Sequence, residues 1–188
     1  MRADARQNRE KVLEAAEAVF AAGGTSASTE EVAHRAGVGV GTVFRHFPTK
    51  EALLQAILEE RLTRLAEEAE RLAEEADPGA GLYGLFARMV EQSAAKKTYA
   101  QALADAGHDP GAAISKVGDR VRDALGRLLA QAQQAHAVRD DLGVTEFVAL
   151  VVGASQAAEY GRQDGAVQER TLRVFFDGLH PQPDKVER

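Results

Sequence analysis

The chain has 188 residues, a formal net charge of −6 and no cysteine. A chain of this length can bury about 70% of its unfolded surface, so its core needs no staple. The lack of cysteine excludes disulfides, thiolate metal sites and cysteine nucleophiles. The polar start, Met1 to Glu10, has no signal-peptide stretch, and no run nears the roughly 18 apolar residues of a membrane span. A cytoplasmic protein without membrane association is therefore expected. The charge is uneven. Residues 1–50 carry seven Lys/Arg against six Asp/Glu, and the remainder 16 against 23. A head near neutrality on an acidic body is compatible with an anionic partner at the head alone.

In chain order the periodicity is helical throughout, which predicts an all-α fold of about nine helices. The first, about 6–22, carries the apolar stripe Val12, Leu13, Ala16, Val19 and Phe20 and ends at Gly23-Gly24. Ser28-Thr-Glu-Glu31 is a capping box that opens a second helix ending at Gly37. A short segment from Gly39 to Phe47 follows, and Thr49 then caps a long helix from Lys50 to about Ala76. Helices are expected at about 82–95, 97–106, 110–137, 146–162 and 166–179, with a break at 163–165 and a tail, 180–183, that cannot stay helical. Glu60–Arg64 and Glu67–Arg71 are spaced for i,i+4 pairs.

Thr29 to Lys50, TEEVAHRAGVGVGTVFRHFPTK, is the informative stretch. Two short helices joined by a tight glycine turn make a helix-turn-helix. Val32, Ala33, Ala36, Val38, Val43 and Phe47 can point inward. Val40, Gly41, Thr42, Phe44, Arg45 and His46 then face a major groove wholly or in part. Thr42, Arg45 and His46 are its side-chain donors, and Val40 can offer only apolar contact. Ser28, Thr29 and Lys50 complete this candidate set. Lys50 opposes the dipole of its own helix, yet beside free amides it suits a phosphate; a solvated lysine is the plain alternative.

These residues resemble the tetracycline-repressor (TetR) family. The matches are Val32-Ala33, Arg35-Ala36-Gly37-Val38, Gly41-Thr42-Val43-Phe44-Arg45-His46-Phe47 and Thr49-Lys50-Glu51-Ala52-Leu53, with Ala15-Ala16 and Phe20 before a glycine. The resemblance covers about residues 6–58. It implies a homodimer on an inverted-repeat operator of double-stranded DNA, released by a small-molecule effector in the C-terminal domain, and a phosphate contact at Lys50. Two departures stand out: Phe44 replaces a usual tyrosine, and Gly39 replaces a Ser/Thr cap. The resulting division is a DNA-binding domain at 1–50 and a ligand-sensing, dimerising domain at 51–188.

For that second domain the candidate effector residues are Tyr83, Phe86, Met89, Tyr99, Val121, Leu125, Phe147, Val151, Gln156 and Tyr160; core packing is the alternative for each. The helix over 146–158 is apolar nearly all round, and Ala149, Gly153 and Ala157 give it a small-residue line. With Leu172, Phe175 and Phe176 these form the candidate dimer interface, because a palindromic site matches a two-fold protein. Gly37-Val-Gly-Val-Gly41 follows a helix, whereas a dinucleotide loop follows a strand. The histidines lack metal-ligand spacing. His108 is a loop residue or a pocket residue, and Asp140-Asp141 a turn or a carboxylate pair. No catalytic constellation appears, so no enzyme, metal or cofactor is expected. The rival reading is a DNA-binding regulator with a filled C-terminal core and no small-molecule response.

Overall fold

The computed structural model describes residues 2–161 and 164–181. The expected break at 163 and the tail beyond Pro181 fall at least partly outside the described residues. Among these there are eight helices and no strand: α1 (Arg2–Gly23), α2 (Thr29–Ala36), α3 (Val40–His46), α4 (Lys50–Ala73), α5 (Pro78–Asp105), α6 (Pro110–Gln134), α7 (Val144–Tyr160) and α8 (Gly165–Leu179). The fold is all-α, as the periodicity requires. The two helices expected over 82–95 and 97–106 are one. Neither glycine nor proline interrupts Ser93 to Thr98, so nothing there stops α5, while Pro78 starts it at a position where its missing N–H costs nothing.

The chain forms two compact units. The first joins residues 1–62 with 95–117, and the second joins 63–94 with 118–188. In the first, α1 packs on α2 and α3, and Val12, Leu13, Ala16, Phe20, Val32, Ala33, Val43 and Phe47 are buried. Leu53, Ile57 and Leu58 of α4, with Tyr99 and Leu103 of α5, are buried in the same unit. Arg61 joins three of its helices. Its Nε lies 2.7 Å from Glu17 Oε1 of α1, with both side chains about one-fifth exposed, and its guanidinium stands 5.3 Å from the Tyr99 ring of α5.

The second unit has a continuous apolar core from α4 to α8. Phe86 and Phe147 are fully buried and meet edge to face at 5.7 Å, and Phe86 meets Phe176 at 5.4 Å. Salt bridges dress its surface. Glu70 of α4 receives Arg120 (2.9 Å) and Arg127 (3.3 Å) of α6. Glu67 faces Arg120 at 3.8 Å, whereas Arg71 pairs with Glu75, so the expected Glu67–Arg71 pair gives way to partners outside it. Asp141 takes a bidentate grip from Arg139 at 2.6 and 2.7 Å, which holds its carboxyl below the usual range; it is an ion-paired turn residue and not half of a carboxylate dyad. His108 is exposed in the α5–α6 loop, its Nδ1 3.2 Å from the Ala106 carbonyl.

This core sets the stability of the second unit. Phe147→Ala removes a fully buried ring with two aromatic layers behind it, and should cost about 3–5 kcal/mol. Urea unfolding followed by circular dichroism reads this as a lower midpoint at unchanged slope. A loss below about 1 kcal/mol would mean that the surrounding side chains collapse into the site.

Candidate nucleic-acid interface

The interface is built from local rules first. Ser28 opens α2 with a complete capping box: Ser28 N–H donates to Glu31 Oε2 at 2.8 Å, and Glu31 N–H donates to Ser28 Oγ at 3.2 Å. Gly37 closes α2 in the left-handed region, φ 68°, and Val38 N–H reaches back to the Ala33 carbonyl at 3.0 Å. That reversal turns the chain into α3. Thr49 Oγ1 accepts from Ala52 N–H at 3.1 Å and caps α4.

The α3 helix has seven residues and no side-chain cap at Gly39. Val43 is buried on its inner face, and Phe47, which ends it, is 4% exposed. The outer face carries Gly41 and Arg45, both exposed, and Phe44, 42% exposed, while Val40, Thr42 and His46 are half-buried. These six expected residues are thus brought onto one short helix beside Lys50, which opens α4. Ser28 spends its hydroxyl on the cap, and Thr29 is half-buried next to it. Gly41 is informative because a Cβ added there would meet no atom within 4 Å. Nothing inside the protein requires a glycine, although glycine weakens a helix by about 1 kcal/mol against alanine. Without a side chain there, the outer face of α3 is open to close approach.

The electrostatics separate this surface from the rest of the chain. Among the described residues, no carboxylate pairs with Arg35, Arg45 or Lys50. In contrast, Arg88, Arg120, Arg127, Arg139 and Arg173 all face carboxylates. Lys50 Nζ lies 5.6 Å from the centre of the Phe20 ring, a cation–π contact that holds the ammonium at the start of α4. The neighbouring Glu51 carboxyl is lowered by a bond from its own backbone amide and by one from Thr49, so an anion at this terminus meets Lys50 and an ionised Glu51 together.

The remaining expected residues divide. Phe86, Leu125, Phe147 and Val151 share the core of the second unit, and Tyr83, Met89 and Val121 pack against it. Tyr83 hydroxyl lies 3.2 Å from both the Ala137 carbonyl and His180 Nδ1. Tyr99 belongs to the first unit. Gln156 is exposed and Tyr160 is 94% exposed, so neither lines the interior of the single chain. The spacing explains this: Phe147, Val151, Ala154 and Ala158 form the buried side of α7, and 156 and 160 fall on the face of Val148 and Val152. The expected dimer set divides likewise. Ala149 and Gly153 are exposed and Ala157 half-exposed, but Leu172, Phe175 and Phe176 pack against the core, and a Cβ at Gly153 would stand 3.6 Å from the Phe175 ring of the same chain. Among the described residues, the exposed large apolar side chains of α7 and α8 are Val148, Val152, Tyr160, Val167 and Val174. An open groove of about 320 Å³ adjoins them, lined by Arg139, Leu142, Leu150, Val174, Phe175 and Gly178.

Two family models match the chain. One describes bacterial regulatory proteins of the tetR family and spans residues 12–57; the other describes the C-terminal domain of SbtR-like transcriptional regulators and spans 77–181. A TetR transcription regulatory protein from Mycobacterium vanbaalenii is similar at 40% identity and TM-score 0.78, covering 95% of this chain and 98% of its own. The TetR transcriptional regulator SCO0520 from Streptomyces coelicolor is similar at 31% identity and TM-score 0.76, covering 93% and 99%. The HTH-type transcriptional regulator SrpR from Pseudomonas putida is 42% identical over 60 residues, which are 31% of this chain and 28% of that protein. The chain thus aligns with under a third of the length of the first curated relatives.

Two substitutions test the surface. Gly41→Ala should raise the stability of the head by about 1 kcal/mol while weakening duplex binding; unchanged or tighter binding would show that nothing approaches α3 closely at 41. Arg45→Ala should weaken binding to a selected sequence by about 1–3 kcal/mol and spare random DNA. Equal losses on both duplexes would make Arg45 a phosphate contact.

Proposed function

The chain belongs to the TetR family of transcriptional regulators, and from that premise we propose that it is a dimeric DNA-binding repressor, released from a palindromic operator by a mainly hydrophobic small molecule. The observation that carries the DNA-binding part is the surface of α3. It combines exposed donors, an uncrowded glycine and cations without carboxylate partners, in a chain whose other arginines are largely matched. Arg45 and Thr42 read base edges, Val40 and Phe44 make apolar contacts in the groove, and Lys50 binds a phosphate. Cytoplasmic DNA is the partner such a surface fits.

Dimerisation is supported by the exposed apolar residues of α7 and α8. Val152 is 56% and Val174 69% exposed. Valines left in water at this level on adjoining helices mark a surface that a second copy covers. A two-fold pair of heads then meets successive major grooves about 34–36 Å apart.

The effector reading rests on the apolar character of the second unit's core. A compound that occupies it acts only through a higher affinity for the DNA-incompetent state. A second reading, a regulator with no small-molecule response, is favoured by the edge-to-face packing of Phe86, Phe147 and Phe176, which fills part of that core.

The dimer is tested with Val152→Glu and Val174→Glu. Both positions tolerate a charge in the single chain, so the fold should persist while sedimentation reports monomers and operator affinity falls at least tenfold. Variants that sediment as dimers would place the interface elsewhere.

A further inference from the structure

Beyond α2, α3 and the start of α4, one exposed arginine of α1 belongs to the same corner. Arg9 continues the buried stripe of α1 outward, since Val12, Leu13, Ala16 and Phe20 follow it at helical spacing. That register carries it to Phe47. Its guanidinium carbon stands 5.2 Å from the centre of the Phe47 ring, and Phe47 is the residue that ends α3. Stacking on an aromatic face fixes the guanidinium without consuming its five N–H donors. Among the described residues no carboxylate pairs with it, whereas Arg6, one turn earlier, faces Glu10 at 3.5 Å. Lys50, the third residue after Phe47, rests in the same manner on Phe20. Two cations are therefore each held on a buried ring of the first unit, Arg9 on the residue that ends α3 and Lys50, which opens α4, on Phe20.

We infer that Arg9 is a phosphate-binding residue, which extends the DNA contact from the recognition helix to α1 and grips the backbone beside the end of α3. The inference rests on the DNA-binding reading above. A guanidinium suits a phosphate because its planar fork can donate two parallel hydrogen bonds. The competing role is plain packing, in which the arginine stem only covers Phe47.

The test uses Arg9→Met, which keeps an apolar stem over Phe47 and removes the charge, and Arg9→Lys, which keeps the charge. Binding to a random-sequence duplex and to a selected operator is measured by fluorescence anisotropy across a salt series, below each variant's melting temperature. Arg9→Met should weaken both duplexes by the same factor, several-fold, and reduce the slope of log affinity against log salt by about one. Arg9→Lys should restore that slope. An unchanged slope in Arg9→Met would overturn the inference in favour of packing. A loss confined to the operator would overturn it in favour of base reading. If the wild-type protein binds no duplex, the DNA-binding reading itself fails; if it binds and Arg9→Met matches it, only the role of Arg9 fails.

Discussion

The head depends on the burial of Val43 and Phe47. With seven residues, an internal glycine and no side-chain cap, α3 is too short to hold itself by propensity in water. What keeps it helical is tertiary: Val43 at 0% and Phe47 at 4% exposure, set against α1 and α2. Everything on the outer face inherits its position from those two side chains. Arg45 and His46 are aimed by the turn that Val43 anchors, and Arg9 by the ring of Phe47.

The body follows a different rule. Its core is a run of ordinary aliphatic and aromatic packing, and its arginines are largely engaged by carboxylates, across helices for Arg88, Arg120 and Arg127 and within a few residues for Arg71, Arg122, Arg139 and Arg173. Such exposed pairs contribute little stability one by one. Their effect is to leave the acidic body with few arginines free to hold an anion, so that the unpaired cations of the head stand out. A net charge of −6 therefore coexists with a surface suited to DNA.

What could be read from the sequence was what local chemistry decides. The capping box of Ser28 and Glu31, the left-handed Gly37 and the Thr49 cap act over three or four residues, and each stands where its spacing put it. The continuity of α5 was legible too, since its polar stretch at 93–98 holds no breaker, and the expected division there had no residue to enforce it. The outward position of Gln156 and Tyr160 was latent in the register of Phe147 and Val151. Arg9 over Phe47 and Arg61 between Glu17 and Tyr99 join residues 38 to 44 positions apart, and periodicity carries no signal for contacts of that range. The placement of Arg9 beside the end of α3 therefore emerged only from the three-dimensional arrangement.

In the proposed function, two copies of this head read two half-sites of one duplex. Selection of bound duplexes from a random pool tests it most directly. Two-fold reading requires enrichment of an inverted repeat whose half-site centres lie about 10–10.5 base pairs apart, or a multiple of that spacing. Recovery of a single unpaired half-site, or no enrichment over the starting pool, would contradict it.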